Sequence, residues 1–281
     1  MHPAAAQNRD PLPALQTVAI LPARIGSQRL PRKMLLAETG TPLVVHAIRN
    51  VLRCPAVGRA LVATDSEEIA RAVRAAGFEA CATSPEHPSG TDRVFEALRP
   101  LGGAFDVVLN VQADEPDVDS GDLAALIALF AGHGAFTGPG AEPRVEVATL
   151  SAPIASEEEA RDPSVVKVVC DHRGDALYFS RADIPTRVHA RSAARADGAP
   201  GLAASRRHVG VYAFRPAALE RFCNLPRGVL EELESLEQLR WLEAGGRMRV
   251  LPARHLPRGI DTRRDYEEFV ARCAARRTHS R

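Results

Sequence analysis

The run Val18-Ala19-Ile20-Leu21-Pro22-Ala23-Arg24-Ile25-Gly26-Ser27-Gln28-Arg29-Leu30-Pro31-Arg32-Lys33 constrains this chain more than any other stretch. Its apolar opening lacks alternation, as expected for a strand covered on both faces in a parallel sheet. The strand is expected to stop at Pro22 and open into a loop carrying three arginines and a lysine. A Gly and a Ser among the cations let backbone N–H groups turn toward an anion. Arg24, Arg29 and Lys33 add forked and point-charge donors suited to phosphate oxygens. The pattern suits a triphosphate loop, although the G-x-x-x-x-G-K-[ST] motif of a P-loop is absent. For the run alone, a solvated basic turn is the alternative.

At 281 residues the chain can bury a full α/β core. A formal net charge of +1 argues against a protein built to hold nucleic-acid backbone, and no apolar run reaches membrane-spanning length. Residues 1–16 lack the basic and apolar regions of a secretory signal and read as a disordered extension. Cys54, Cys81, Cys170, Cys223 and Cys273 are scattered and odd in number. That suits free thiols in a reducing cytoplasm better than disulfides or a zinc site.

Strands and helices alternate through the first half. Strands are expected at 18–21, 59–64, 79–82 and 106–111, with helices at 42–52, 67–76 and 91–98 between them. Further strands are expected at 145–150, 165–170, 209–214 and 247–252. The most convincing helix spans 230–244, with apolar residues at Leu230, Leu233, Leu236 and Leu239, and a last helix covers 264–275. Gly132–Pro143 and the Ala-, Gly- and Arg-rich stretch His189–Arg207 read as loops, the second a mobile one. This predicts an α/β, doubly wound, mostly parallel sheet as a single domain over 17–276, followed by a tail at 277–281. In such a sheet ligands bind beyond the carboxyl ends of the strands.

Three polar turns fall at such ends. Asn110-Val111-Gln112-Ala113-Asp114-Glu115-Pro116 ends a buried strand, so Asp114 is either a helix cap or a carboxylate placed for Mg²⁺ beside a triphosphate. Gly259-Ile260-Asp261-Thr262 offers a second aspartate with the same two readings. His87-Pro88-Ser89-Gly90-Thr91-Asp92-Arg93 enters a helix through small residues, and is either an anion site, with Arg93 near the helix N-terminus, or a Ser/Thr cap followed by a surface arginine.

The ordered series of motifs resembles the 3-deoxy-manno-octulosonate (Kdo) cytidylyltransferases over residues 17–270. The series runs Pro22-Ala23-Arg24-x-x-Ser27-x-Arg29-Leu30-Pro31-x-Lys33, Ala63-Thr64-Asp65, Ser89-Gly90-Thr91-Asp92-Arg93 and Asn110-Val111-Gln112-x-Asp114-Glu115-Pro116. It continues with Asp162-Pro163-x-x-Val166-Lys167, Ala176-Leu177-Tyr178-Phe179-Ser180-Arg181-Ala182-x-Ile184-Pro185 and Arg207-His208-Val209-Gly210-Val211-Tyr212. Leu236-Glu237-Gln238-Leu239-Arg240 and Gly259-Ile260-Asp261-Thr262 close it.

The resemblance implies a glycosyltransferase-A-like nucleotidyltransferase fold with a small dimerisation and substrate subregion. It implies transfer of CMP from CTP to Kdo with Mg²⁺, by a cytoplasmic homodimer serving lipopolysaccharide assembly, with no nucleic-acid or membrane partner. Carried over residue by residue, Arg24, Arg29 and Lys33 would clamp the CTP phosphates. Ala23, Ser27, Ser89, Gly90, Thr91, Arg93 and Asp114 would help hold the nucleotide. Asp114 and Asp261 would bind magnesium. Gln112, Arg181, His208, Tyr212, Glu237 and Gln238 would line the sugar-acid pocket. Two departures stand out: the family usually has Gly at the positions of Ala113 and Arg32. If the backbone at Ala113 needs a left-handed conformation, its methyl is costly there, and Arg32 is expected to add a cation beside the phosphates. Another acidic sugar, such as an 8-amino-Kdo or a sialic-acid-like substrate, and a CTP-binding homologue without turnover are the alternatives.

Overall fold

The computed structural model describes residues 15–27, 29–102, 105–131, 144–186 and 205–278. The readings for residues 1–14, for 132–143 and for 187–204 fall outside them.

The first half alternates as expected: β1 (Thr17–Ala23), α1 (Leu43–Val51), β2 (Arg59–Thr64), α2 (Glu67–Ala75), β3 (Glu79–Ala82), α3 (Gly90–Leu98) and β4 (Val107–Asn110). Then follow α4 (Ser120–Ala128), β5 (Val147–Pro153), α5 (Glu157–Arg161), β6 (Lys167–Cys170), β7 (Ala176–Ser180) and β8 (Arg206–Phe214). The described chain ends with α6 (Pro216–Asn224), α7 (Val229–Glu234), α8 (Gln238–Glu243), β9 (Arg249–Pro252) and α9 (Arg263–Thr278).

The sheet order is β3-β2-β1-β4-β8-β5-β9, with β6 joining β8 and β7 joining β6. β3, β2, β1 and β4 are mutually parallel, and β8 lies antiparallel between β4 and β5. With β9 parallel to β5 and β6 antiparallel to β8, only β7 and β8 run against the rest. The chain steps outward from β1 to β2 and β3, then returns to place β4 on the other side of β1. That reversal opens a crevice beyond the carboxyl ends of β1 and β4.

Both faces of β1 are buried, and alternate residues feed two cores. Ala19, Leu21 and Ala23 pack with α1, α2 and α4, whereas Val18 and Ile20 pack with α3, α6 and α8. Truncating Leu21, which is fully buried, would cost about 2–5 kcal/mol. A third, smaller cluster joins Leu30, Leu43 and Ile260 to Tyr266 and Phe269 of α9. It packs the basic loop after β1 against the turn preceding Asp261.

Several boundaries differ from the sequence reading. β1 runs through Pro22 to Ala23, because beyond Ile20 only β2 pairs with it and such an edge tolerates a proline. The helix expected over 230–244 is broken at Ser235, which adopts a left-handed conformation (φ 53°) between α7 and α8. Leu233 is accordingly exposed, while Leu236 and Leu239 are buried. β8 begins at Arg206, so Arg206 and Arg207 belong to a strand rather than to the preceding loop. Helices α4, α5 and α6 and strand β7 were not anticipated.

Candidate active site

The crevice, with a cavity volume of about 250 Å³, is lined by Pro22, Arg24, Gly26, Ser27, Lys33, Gly90, Gln112 and Asp114, among others. Three separate motifs thus meet where the topology predicts a ligand. Gly90 permits the approach of α3, since a Cβ there would lie 3.3 Å from the Pro22 ring.

Lys33 is the centre of the site. Its buried ammonium donates to Asp114 Oδ2 at 2.7 Å, to the Ile260 carbonyl at 2.7 Å and to Asp261 Oδ1 at 3.2 Å. Ile260 N also donates to the Asp114 carbonyl at 2.9 Å, which ties the two aspartate turns together. Arg29, largely exposed, reaches Asp261 Oδ1 at 3.1 Å. Arg24 donates to the His87 carbonyl at 2.6 Å, so the loops after β1 and β3 touch across the crevice mouth. Ser27 Oγ accepts from Leu30 N within the loop, and Ala23 offers only backbone because its methyl is in the core.

The α3 entrance is built for order. Ser89 caps the helix by accepting from Asp92 N at 3.2 Å. Thr91 is buried and donates to Glu237 Oε1 at 2.6 Å while accepting from Asn110 Nδ2 at 3.0 Å. Arg93 requires a correction. It is fully buried and pairs with Asp65 Oδ2 and Thr83 Oγ1 at 2.7 and 2.6 Å, so its guanidinium does not reach the crevice. It locks the carboxyl ends of β2 and β3 to α3, and the Ala63-Thr64-Asp65 motif is its anchor.

Beside the crevice, β8 carries His208, Gly210 and Tyr212 past the β4 turn. A Cβ on Gly210 would lie 3.7 Å from Gln112 Cγ and 3.8 Å from Glu115 Oε1. Burial raises the Tyr212 phenol well above its usual range, and the Glu237 and Glu115 carboxylates add to the effect. Burial pushes the His208 imidazole down to about 3. Glu237 Oε2, Gln238 Nε2 and Glu115 Oε2 are buried without a hydrogen-bond partner among the described residues. Buried polar atoms left unpaired in this way are rare in folded proteins. Arg181 is placed differently from the rest. Its side chain donates to the Glu234 carbonyl at 2.9 Å and to the Pro163 carbonyl at 3.1 Å, where it braces α7.

Glu115 was not singled out from sequence, yet it faces β8 rather than solvent. Burial, then the neighbouring Asp114 carboxylate, pushes its carboxyl up to about 8. Its only sequence signal was its place beside Asp114 in a strand-end turn.

The two departures exchange roles. Ala113 is not among the residues with positive φ and its methyl is buried in the main core, so it imposes no left-handed strain. Arg32 does adopt the left-handed conformation, with φ 56°. Its side chain pairs with Glu68 of α2, away from the Lys33 cluster.

The donor set fits magnesium. Two carboxylates already converge on one cation, the Lys33 ammonium, and Mg²⁺ characteristically takes one or two carboxylates plus phosphate oxygens. Among the described residues no group of three or more His, Cys, Asp or Glu could hold a metal ion, so phosphate oxygens and water would complete the shell.

Comparison with known proteins agrees with this geometry. The family model described as Cytidylyltransferase matches residues 18–250. The chain is 43% identical over 256 residues to the 3-deoxy-manno-octulosonate cytidylyltransferase of Bradyrhizobium sp. (strain ORS 278), covering 89% of this chain and 94% of the relative. It is 45% identical over 260 residues to the protein of the same name from Anaeromyxobacter sp. (strain Fw109-5), covering 92% and 98%. A solved CMP:2-keto-3-deoxy-manno-octonic acid synthetase complexed with CTP superposes with a TM-score of 0.80 at 36% identity, over 93% of this chain and 99% of that one. The 4-diphosphocytidyl-2C-methyl-D-erythritol synthase of Anaerococcus prevotii, at 13% identity and a TM-score of 0.59 over 92% and 98%, shares the fold. The chain belongs to the cytidylyltransferase family, among the 3-deoxy-manno-octulosonate cytidylyltransferases.

Proposed function

We propose that this protein transfers the cytidylyl group of CTP to the anomeric hydroxyl of Kdo, giving CMP-Kdo and pyrophosphate. The observation that carries the reaction class is the convergence of Lys33, Asp114 and Asp261 at the carboxyl ends of β1 and β4. The sugar is carried by the likeness to relatives of that name.

Arg24, Arg29 and Lys33 bind and orient the triphosphate, and the N-terminus of α3 at Ser89–Thr91 adds backbone donors. Asp114 and Asp261 would hold Mg²⁺, which when bound neutralises phosphate charge and lowers the pKa of an attacking hydroxyl. Lys33 then exchanges its carboxylate partners for phosphate oxygens, so its charge is never left unpaired. Gln112, His208, Tyr212, Glu237 and Gln238 surround the sugar acid, with its anomeric oxygen toward the α-phosphorus. Positioning and charge neutralisation carry the transfer, and no covalent nucleophile is needed. Arg181 serves by fixing α7 rather than by touching sugar.

The non-catalytic alternative rested on Ala113, and the unstrained backbone there removes its motive. The homodimer is supported by large exposed apolar side chains, Leu177 on β7 and Val229 and Leu233 on α7, elements joined through Tyr178, Ser180 and Glu234. Sedimentation at a single species of monomer mass would refute it. Cysteines kept as thiols, as at Cys54, Cys81, Cys170 and Cys223, favour a cytoplasmic setting. Among the described residues no helix is long and apolar enough to cross a membrane.

The test is product analysis with CTP, Mg²⁺ and a panel of sugar acids. A CMP-sugar of the mass expected for Kdo, formed in preference to 8-amino-Kdo or sialic acid products, supports the assignment. Preference for another acid would move the substrate while keeping the chemistry.

A further inference from the structure

Thr149 lies in the middle of β5, fully buried, and no motif pointed to it. It stands where the ladder between β5 and β8 shifts: Thr149 faces Tyr212, while the next residue, Leu150, faces Val209. Gly210 and Val211 are therefore extra residues on β8, and the strand bulges between His208 and Tyr212.

The Thr149 hydroxyl fills that bulge. Its Oγ1 lies 2.8 Å from the Val211 carbonyl, 3.2 Å from the Val209 carbonyl and 3.0 Å from His208 Nε2. A hydroxyl has one proton, and a carbonyl can only accept. The proton therefore points at the carbonyls, Val211 being the nearer, and the oxygen's lone pair faces the imidazole. His208 Nε2 must then be the donor. Nδ1 is left as a bare acceptor, and no group among the described residues bonds to it. The ring is held from flipping by Phe179, edge-on at 5.0 Å, and by Tyr212, tilted at 5.4 Å.

We propose that Thr149 is a positioning residue that fixes His208 as the Nε2–H tautomer, so that Nδ1 accepts a hydrogen bond from a hydroxyl of the sugar acid. The inference rests on the placement of His208 in the sugar pocket. Its chemical content is selective. A bare imidazole nitrogen pairs with a hydroxyl and cannot pair with a carboxylate, which has no proton to give. The histidine thus reads the hydroxyl pattern of the substrate, and the carboxylate is oriented by other groups.

The test combines ¹⁵N-histidine NMR with steady-state kinetics on the whole protein, the His208 signals being assigned by their loss in His208→Gln. Wild type should show Nε2 protonated and Nδ1 unprotonated, and saturating Kdo should shift the Nδ1 resonance while leaving the tautomer unchanged. Thr149→Ser keeps the hydroxyl and should keep both the tautomer and the KM for Kdo. Thr149→Val removes it and should release the tautomer and raise the KM for Kdo about tenfold, with the KM for CTP unchanged. An Nδ1–H tautomer in wild type, or an Nε2–H signature surviving in Thr149→Val, overturns the inference while Kdo-dependent turnover leaves the proposed function standing. A released tautomer with an unchanged KM for Kdo removes His208 from the sugar pocket and overturns the inference with it. Should Thr149→Val fail to fold, the wild-type tautomer and the response of Nδ1 to Kdo decide the matter.

Discussion

Lys33 Nζ donates to Asp114 Oδ2 at 2.7 Å, so a cation assigned to the triphosphate and a carboxylate assigned to the metal form one ion pair. The Lys33 side chain is only 7% exposed and Asp114 is 29% exposed, so neither partner is well screened by water. Each keeps the other satisfied until a metal and phosphates supply exchange partners. Loss of Asp114 should therefore strike nucleotide chemistry more than the fold, because Ile260 O and Asp261 still hold the ammonium.

Asp114→Ala and Asp261→Ala should each lower kcat by on the order of 10²-fold or more, by removing half of the carboxylate donor set. Both variants should stay folded by circular dichroism. Near-wild-type kcat at saturating Mg²⁺ in either would take that aspartate out of the metal site.

Arg29→Ala should raise the KM for CTP about tenfold with kcat little changed, the expected loss of one charge-assisted hydrogen bond to phosphate. Its present partner, Asp261, also pairs with Lys33. An unaltered KM for CTP would return Arg29 to the role of a surface cation.

Arg32→Gly should stabilise the protein by about 1 kcal/mol, because glycine adopts the left-handed conformation without the Cβ clash. The lost pair with Glu68 is exposed and worth less. Turnover should be unchanged, since the Arg32 side chain points away from the Lys33 cluster. Urea denaturation reads the first expectation, and a fall in stability would contradict it.

His208 supplies a pH dependence of known sign. Its folded pKa, pushed down to about 3, lies below the ordinary histidine value, so the unfolded chain takes up its proton first as pH falls. Stability from this group is complete above pH ~6.5 and is lost below it, at most about 1.4 kcal/mol per pH unit. Between pH 8 and pH 5, His208→Asn should lose less stability than wild type. Parallel loss in the two proteins would mean that the imidazole is freely solvated.

Sequence reasoning reached the parts of this site that local chemistry marks. Strand β1 shows as an apolar run because both its faces are buried, and the turns after β1 and β4 show because polar residues abruptly replace apolar ones. Arg93 was misplaced because its partners, Thr83 and Asp65, are 10 and 28 residues away, and an arginine on a first helical turn ordinarily faces solvent. The break at Ser235 was invisible because no Gly or Pro marks it. Glu115 and Thr149 matter only because β8 crosses beside them, a pairing between segments far apart in the chain. Arg32 carried a local clue, the glycine usual in its family, but the strain was assigned instead to Ala113.

The most direct test of the account is pyrophosphate release by the purified protein from CTP and Mg²⁺, measured with and without Kdo. The account predicts release that requires Kdo and Mg²⁺ together. Binding of CTP with no release in the presence of Kdo or any other sugar acid would contradict it.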